Sequence, residues 1–341
     1  MKKINWGIIG LGNIANSFSE GFSNINNSNL LGIASLNPEK LEKFKKKFNI
    51  KKEFTFNNYE ELLNCKEIDI VYITLPNVFH YDLIIKCIDN NKKILVEKPA
   101  VLNLEQAKII KQKVNQKQIF FTEGYMYRYH PQIKDILKII KDNEIGELTS
   151  MVSSFGKNLL TKKKFLFFNK KKTIDHNNRL FNKKLGGGCI LDLGCYPSSF
   201  SLLIASVLKN VNYKNFKILN IKKEMGETGV EVDSEAVIRF EDGFNSTIKS
   251  SFKKDIGSTS IINGNKGSII IKNTWYGDGI KKIIGNTTYE TKKNNYQNIF
   301  SYEIESISKA ILDGLKQVSF PGMSLDDTIL NTKILEEWLN A

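Results

Sequence analysis

The stretch Ile4-Asn5-Trp6-Gly7-Ile8-Ile9-Gly10-Leu11-Gly12-Asn13-Ile14-Ala15 decides the fold. An apolar run rich in β-branched residues breaks at two glycines spaced by one residue and continues into a helix-period segment, which is a strand, a tight turn and a helix start. Gly10 permits the turn, Gly12 leaves room for a pyrophosphate to reach the backbone, and Ala15 lets the helix lie close on the sheet. The free N–H groups and the dipole at the helix start, near Asn13 and Ile14, favour phosphates. This is the pattern of a dinucleotide-binding turn.

Outward from it, short apolar runs alternate with helix-period segments. Strands are expected at Ile4–Ile9, Leu30–Ser35, Ile68–Leu75, Lys93–Val96 and Ile119–Thr122, with helices over 13–23, 38–48, 59–65, 79–90 and 103–116. That alternation predicts a parallel sheet flanked by helices. Asn103 and Gln106 have the spacing of a reciprocal cap, and Pro38 suits a first helical turn. After residue 122 the rhythm changes to one helix (131–142) and then strand-like stretches at 148–156, 217–223, 233–241, 244–252 and 259–271. Turns such as Glu241-Asp242-Gly243 and Gly264-Asn265-Lys266-Gly267 join several of them, so the second sheet should be mostly antiparallel. Further helices are expected near 300–314 and 324–339, separated by Pro321-Gly322. The expected organisation is α/β, with a nucleotide-binding domain over 1–122 and an α+β domain over 123–341 that carries a large open sheet.

Composition excludes other classes. The 341 residues exceed a single small module, and 41% apolar with 25% charged residues is globular usage. The formal charge of +14 comes almost wholly from lysine; Arg128, Arg179 and Arg239 are the three arginines. Readers of bases and phosphates favour the bidentate arginine fork, so no nucleic-acid partner is expected. Cys65, Cys87, Cys189 and Cys195 form no CxxC, and no metal is expected. The apolar stretch at the N-terminus is short and glycine-broken, unlike a signal peptide, and no run of about 18 apolar residues was apparent elsewhere, so a cytoplasmic protein without a membrane partner is expected. The lysine cluster at 162–172 reads as a solvated loop with an apolar anchor, against the alternative of a basic-aromatic arm.

The dinucleotide type is normally read after the second strand. There Ser35-Leu36-Asn37 offers no carboxylate for a ribose 2′-hydroxyl, and Lys40 and Lys43 follow closely. The reading is NADP or NAD, leaning toward NADP, with Ser35, Asn37 and Lys40 as candidate contacts.

Three further motifs sit at strand ends: Thr74-Leu75-Pro76-Asn77-Val78-Phe79-His80, Glu97-Lys98-Pro99, and Glu123-Gly124-Tyr125-Met126-Tyr127-Arg128-Tyr129-His130-Pro131. With the glycine turn, Leu185-Gly186-Gly187-Gly188-Cys189-Ile190-Leu191-Asp192-Leu193-Gly194-Cys195-Tyr196-Pro197 and Pro321-Gly322-Met323-Ser324-Leu325-Asp326-Asp327, they resemble the Gfo/Idh/MocA oxidoreductase family over nearly the whole chain. The resemblance implies a Rossmann domain paired with a larger substrate domain. It is strongest to the branch of dihydrodiol dehydrogenases, aldose 1-dehydrogenases and glucose-fructose oxidoreductase, where an Asp and a Tyr four residues apart stand in place of a catalytic His. Here that pair is Asp192 and Tyr196.

By that resemblance Lys98 and Tyr196 are catalytic and Asp192 supports them. Thr74, Pro76, Asn77 and His80 wall the nicotinamide site, and Glu97 and Lys98 line it. A cis Pro99 that aims Lys98 inward and a homodimer or homotetramer built through the second sheet are also implied. The chemistry fits. Oxidising a carbinol needs a base for the hydroxyl proton while hydride leaves carbon for the nicotinamide. Tyrosine, with a free pKa of about 10, becomes such a base when an ammonium about 4–6 Å away favours its phenolate.

Each residue has a structural alternative. Lys98 alone would be a surface lysine, Tyr196 a packed aromatic and Asp192 a cap for a helix starting near Pro197. His80 and His130 read better as structural imidazoles than as general bases. Arg128 bridges Glu97 or Glu123 to the cofactor region, or forms a buried ion pair. Arg179 and Tyr127 are candidate substrate contacts. The activity expected is hydride transfer between NAD(P) and a carbinol or carbonyl carbon of a sugar, sugar derivative or diol. The alternatives are a sugar-nucleotide dehydrogenase or reductase of surface-polysaccharide synthesis, and a non-catalytic nucleotide sensor or nucleic-acid-binding protein on the same fold.

Overall fold

The computed structural model describes residues 2–164, 168–241, 243–291 and 298–341. In chain order the elements are β1 (Ile4–Ile9), α1 (Asn13–Glu20), β2 (Ser28–Ala34), α2 (Pro38–Phe48), β3 (Thr55–Phe56), α3 (Tyr59–Asn64), β4 (Ile70–Ile73), α4 (His80–Asp89), β5 (Lys93–Glu97), α5 (Leu104–Lys117) and β6 (Phe121–Gly124). There follow α6 (Pro131–Lys141), β7 (Leu148–Gly156), β8 (Thr161–Lys164), β9 (Phe168–Lys171), α7 (Cys195–Ala205), β10 (Phe216–Met225), β11 (Glu231–Phe240), β12 (Asn245–Ser251), β13 (Ser260–Gly264), β14 (Gly267–Ile271), β15 (Ile280–Ile284), β16 (Thr287–Glu290), α8 (Ile299–Leu312) and α9 (Leu325–Asn340).

The chain divides into two units: Met1–His130 with Tyr296–Ile329, and Pro131–Asn295 with Leu330–Ala341. This differs from a single break at 122, which would assign 123–341 to the second domain. The segment 123–130 stays with the first unit, and α8 returns to it: the Trp6 indole N–H donates to the Ser308 hydroxyl at 2.9 Å, and Ile304 lies against Gly21. Such returns leave no mark in local sequence pattern.

In the first unit β3-β2-β1-β4-β5-β6 form a parallel sheet. The order reverses beside β1, whose neighbours β2 and β4 lie on opposite sides, and ligands bind open α/β sheets at the carboxyl end of such a switch point. Ile9, Ile73, Val96 and Phe121 from the strands pack with Ile84, Ile88, Ile110 and Val114 from the helices into one core. The caps follow the sequence. Asn37 and Asn103 accept N–H bonds from Lys40 and Gln106 at 2.9 Å each, and Pro38 opens α2. The Gln106 carboxamide reaches the Leu102 N–H at 3.3 Å, one residue before its expected target.

In the second unit the sheet runs β10-β11-β12-β7-β13-β14-β15-β16, antiparallel except where β12 and β7 run parallel. The hairpin β8–β9 gives the lysine-rich segment a regular structure that the loop reading did not foresee; residues 165–167 and Asp242 of the expected 241–243 turn lie outside the described residues. The strands β15 and β16, the latter at the sheet's edge, lie beyond the expected strand stretches. All eleven residues of α7 are buried, so it is the apolar spine of its unit. The 23-residue run Lys183–Ala205 is long and apolar enough on average to cross a membrane, but 89% of its apolar window lies buried inside the protein.

Candidate functional site

The phosphate turn is built from the conformations its residues permit. Gly10 has φ +92, and a Cβ there would lie 2.9 Å from Leu75 Cδ2 and 3.0 Å from Thr74 Oγ1, so no other residue fits without a shift. Thr74 closes the turn from β4 by donating to the carbonyl oxygens of Ile9 and Gly10. Gly12 differs: a Cβ there would meet nothing within 4 Å. It is the N-cap of α1, and no side chain caps that helix. Open space thus faces an uncapped helix start at the switch point, and Asn13 and Ile14 begin the helix there. These residues fit a dinucleotide pyrophosphate.

Adjacent parallel strands bring most other first-unit candidates to the same sheet edge. Ser35 follows β2, Thr74, Pro76 and Asn77 follow β4, and Glu97 ends β5 with Lys98 directly after it. Ser35 is buried and its Oγ accepts the Asn37 N–H at 3.1 Å, while Asn37 Oδ1 caps α2. Those two acceptor oxygens are committed to shaping the loop, and exposed Lys40 is left as the charged candidate beyond it. Lys98 is half-buried, and the Lys98–Pro99 peptide is cis, as the resemblance implied.

Three candidates lie enclosed in the protein. His80 is fully buried, with Nε2 2.7 Å from the Leu75 carbonyl oxygen and Nδ1 3.0 Å from that of Pro99. It joins the loops after β4 and β5 and has no surface to offer a cofactor. Burial lowers its pKa to about 4, so the ring is neutral at pH 7, with a single N–H to donate. Arg128 is 1% exposed, with Nη1 3.0 Å from Asp327 Oδ2 and 3.4 Å from the Pro321 carbonyl oxygen. Its ion-pair partner Asp327 lies on the returning segment, 199 residues away, so the buried ion pair is the alternative that forms. Tyr127 is fully buried, edge to face with Tyr125, so it presents no face to a substrate. Removing the carboxylate in Asp327→Ala strands a buried guanidinium, a loss of about 3–5 kcal/mol that corresponds to a Tm drop of roughly 10 °C by scanning calorimetry.

Three acidic side chains in this unit are held inside it, Glu97 and Glu123 among the residues the sequence points to and Glu303 in addition to them. Glu97 Oε1 accepts a short bond from the Tyr72 hydroxyl, with Phe18 tilted against that ring at 4.0 Å between centroids. Glu303 on α8 is 1% exposed; burial, then the charge of Glu97, raises its pKa well above the carboxylate range. Glu123 is 2% exposed and accepts the Ala100 N–H at 2.9 Å. For Glu303, an acidic residue on a buried helix face was the available signal.

In the second unit Asp192 lies in a π-turn, Ile190–Gly194, that runs directly into α7, where Tyr196 follows four residues on. Such wide turns concentrate at functional positions. Asp192 is 9% exposed, and its Oδ1 binds Arg179 Nη1 at 3.0 Å, with Arg179 half exposed. Arg179 therefore braces Asp192, a pairing beyond the expected substrate contact, and the N-cap of α7 is Gly194. Tyr196 packs edge to face on Phe155 at 5.3 Å and against Trp275 at 5.4 Å. Glu231, buried beneath the glycine triplet, accepts the Ile190 N–H at 3.3 Å, and a Cβ on Gly188 would lie 2.1 Å from its carboxylate.

Residues 4–125 match a family model described as "Oxidoreductase family, NAD-binding Rossmann fold", and residues 133–270 match the GFO/IDH/MocA C-terminal domain. The chain belongs to the Gfo/Idh/MocA oxidoreductase family. Among curated relatives, trans-1,2-dihydrobenzene-1,2-diol dehydrogenase of Xenopus tropicalis is 27% identical over 343 residues, spanning 98% of this chain and 96% of the relative. Glucose-6-phosphate 3-dehydrogenase of Bacillus subtilis is 32% identical over 215 residues, 62% of this chain and 58% of that protein. Aldose-aldose oxidoreductase from Caulobacter crescentus shares the fold with a TM-score of 0.83 at 21% identity, covering 99% of this chain and 96% of that one. A 3-ketoreductase from Actinomadura kijaniata, solved with NADP, superposes with a TM-score of 0.81 at 18% identity, covering 98% and 96%. As a Gfo/Idh/MocA protein, this chain is a nicotinamide-dependent oxidoreductase.

Proposed function

We propose that the protein transfers hydride between NADP and a carbinol or carbonyl carbon of a sugar, sugar derivative or diol. The observation that carries the reading is the vacant space over Gly12 at the uncapped start of α1, on the sheet edge that also presents Lys98. Named relatives acting on a diol, a sugar phosphate and aldoses support the substrate class. When bound, the nicotinamide supplies the hydride acceptor or donor. Tyr196 is assigned the proton of the reacting hydroxyl, and Lys98 the catalytic ammonium directly after β5. Asp192, fixed by Arg179, orients the start of α7.

Preference for NADP rests on the absence of a carboxylate after β2 and on Lys40 at the start of α2. Fluorescence titration should give a Kd for NADPH about tenfold below that for NADH, with the ratio collapsing in Lys40→Ala; tighter NADH binding would reverse the assignment. Turnover of aldoses, polyols, trans-diols and sugar phosphates with each cofactor tests the substrate class. Activity confined to nucleotide-linked sugars would instead favour surface-polysaccharide synthesis.

A further inference from the structure

We infer that Glu123 is a positioning residue for Lys98, holding the turn that carries the lysine through the Ala100 N–H and coupling its own charge to that turn. The assignment of Lys98 to catalysis rests on the proposed function, whereas the contacts stand on their own. In the β5–β6 register Val96 faces Glu123 and Glu97 faces Gly124, so Glu97 and Glu123 leave their strands on opposite faces. Glu97 bonds Tyr72 on one face; Glu123 reaches under the end of β5 on the other and takes the Ala100 N–H at 2.9 Å. The Lys98-Pro99-Ala100 turn is thus gripped just past the lysine, while His80 lies against the Pro99 carbonyl oxygen from α4. A neutral side chain would serve a backbone N–H at lower cost, because a buried carboxylate must be stripped of water.

The groups around Glu123 set its charge. Burial raises its pKa to about 7; the Ala100 N–H, the Thr328 hydroxyl on α9 and the Arg128 guanidinium oppose that shift, and the charge of Glu97 adds to it. A carboxyl with a raised folded pKa weakens the fold as pH climbs from its ordinary value through 7. Ionised Glu123 therefore costs stability in the range where it makes its strongest, charge-assisted bond to the turn. A group kept for packing alone gains nothing from that exchange.

The test needs no substrate. The rate at which a small acylating reagent labels Lys98, read by peptide mass spectrometry across pH 5.5 to 9, should show in the wild-type protein a step of about fivefold centred near 7, on top of the amine's own titration. In Glu123→Gln, which keeps a carbonyl acceptor for the Ala100 N–H and loses the charge, the step should vanish. Superimposable wild-type and variant profiles would overturn the inference, as would a wild-type profile without the step, which decides the matter should the variant not fold. Where turnover is measurable, Glu123→Ala should lower kcat about tenfold at pH 8, with Glu123→Gln recovering part of it through the carbonyl acceptor it keeps, and equal losses in both would count against positioning. Absence of any nicotinamide-dependent turnover would remove the proposed function and leave the labelling result standing.

Discussion

Gly12→Val is expected to weaken nicotinamide dinucleotide binding at least about 100-fold, close to 3 kcal/mol, while Tm stays near the wild-type value. The two effects separate because of where the new side chain goes. Gly12 has φ −90 and ψ −169, an extended conformation that valine adopts freely, and its Cβ would meet no atom within 4 Å. The clearance around that Cβ leaves room for the substitution. The added methyl groups instead occupy the approach to the N–H groups at the start of α1, which a pyrophosphate needs. Gly10→Ala is the informative contrast: at φ +92, with Leu75 Cδ2 2.9 Å from the new Cβ, it should lower stability and binding together. Titration with NADPH by fluorescence, beside thermal unfolding of both variants, checks the pair. Unchanged affinity in Gly12→Val would refute the placement of the phosphate turn.

Tyr196→Phe is expected to lose turnover by about 10²–10⁴-fold while cofactor affinity stays within a factor of about two. The phenyl ring keeps the contacts with Phe155 and Trp275, so packing around α7 survives and the stability cost is about that of one hydrogen bond, roughly 1 kcal/mol. Only the exchangeable proton goes. If Tyr196 were merely a packed aromatic, the variant would turn over substrate at the wild-type rate, and steady-state kinetics with any accepted diol or sugar distinguishes the cases. Lys98→Met should produce a loss of similar order without the Tm drop expected of Asp327→Ala, because Lys98 stands half-buried at a strand end while Arg128 is enclosed.

The sequence by itself determined the parts of this protein that depend on neighbours along the chain. Gly10 and Gly12 mark a conformation and a clearance, Asn37 and Asn103 cap the helices they precede, and alternating apolar runs order the parallel sheet. The same local logic placed Glu97-Lys98-Pro99 at a strand end and Asp192 four residues before Tyr196. Tertiary structure alone decided what depends on partners far away. Arg128 is held by Asp327 from the other end of the chain, α8 returns to cover β1, and Arg179 is spent on Asp192. It also decided charge: Glu123 and His80 leave their ordinary pKa ranges because neighbours exclude water from them, and no spacing of residue types encodes the solvent a side chain will lose.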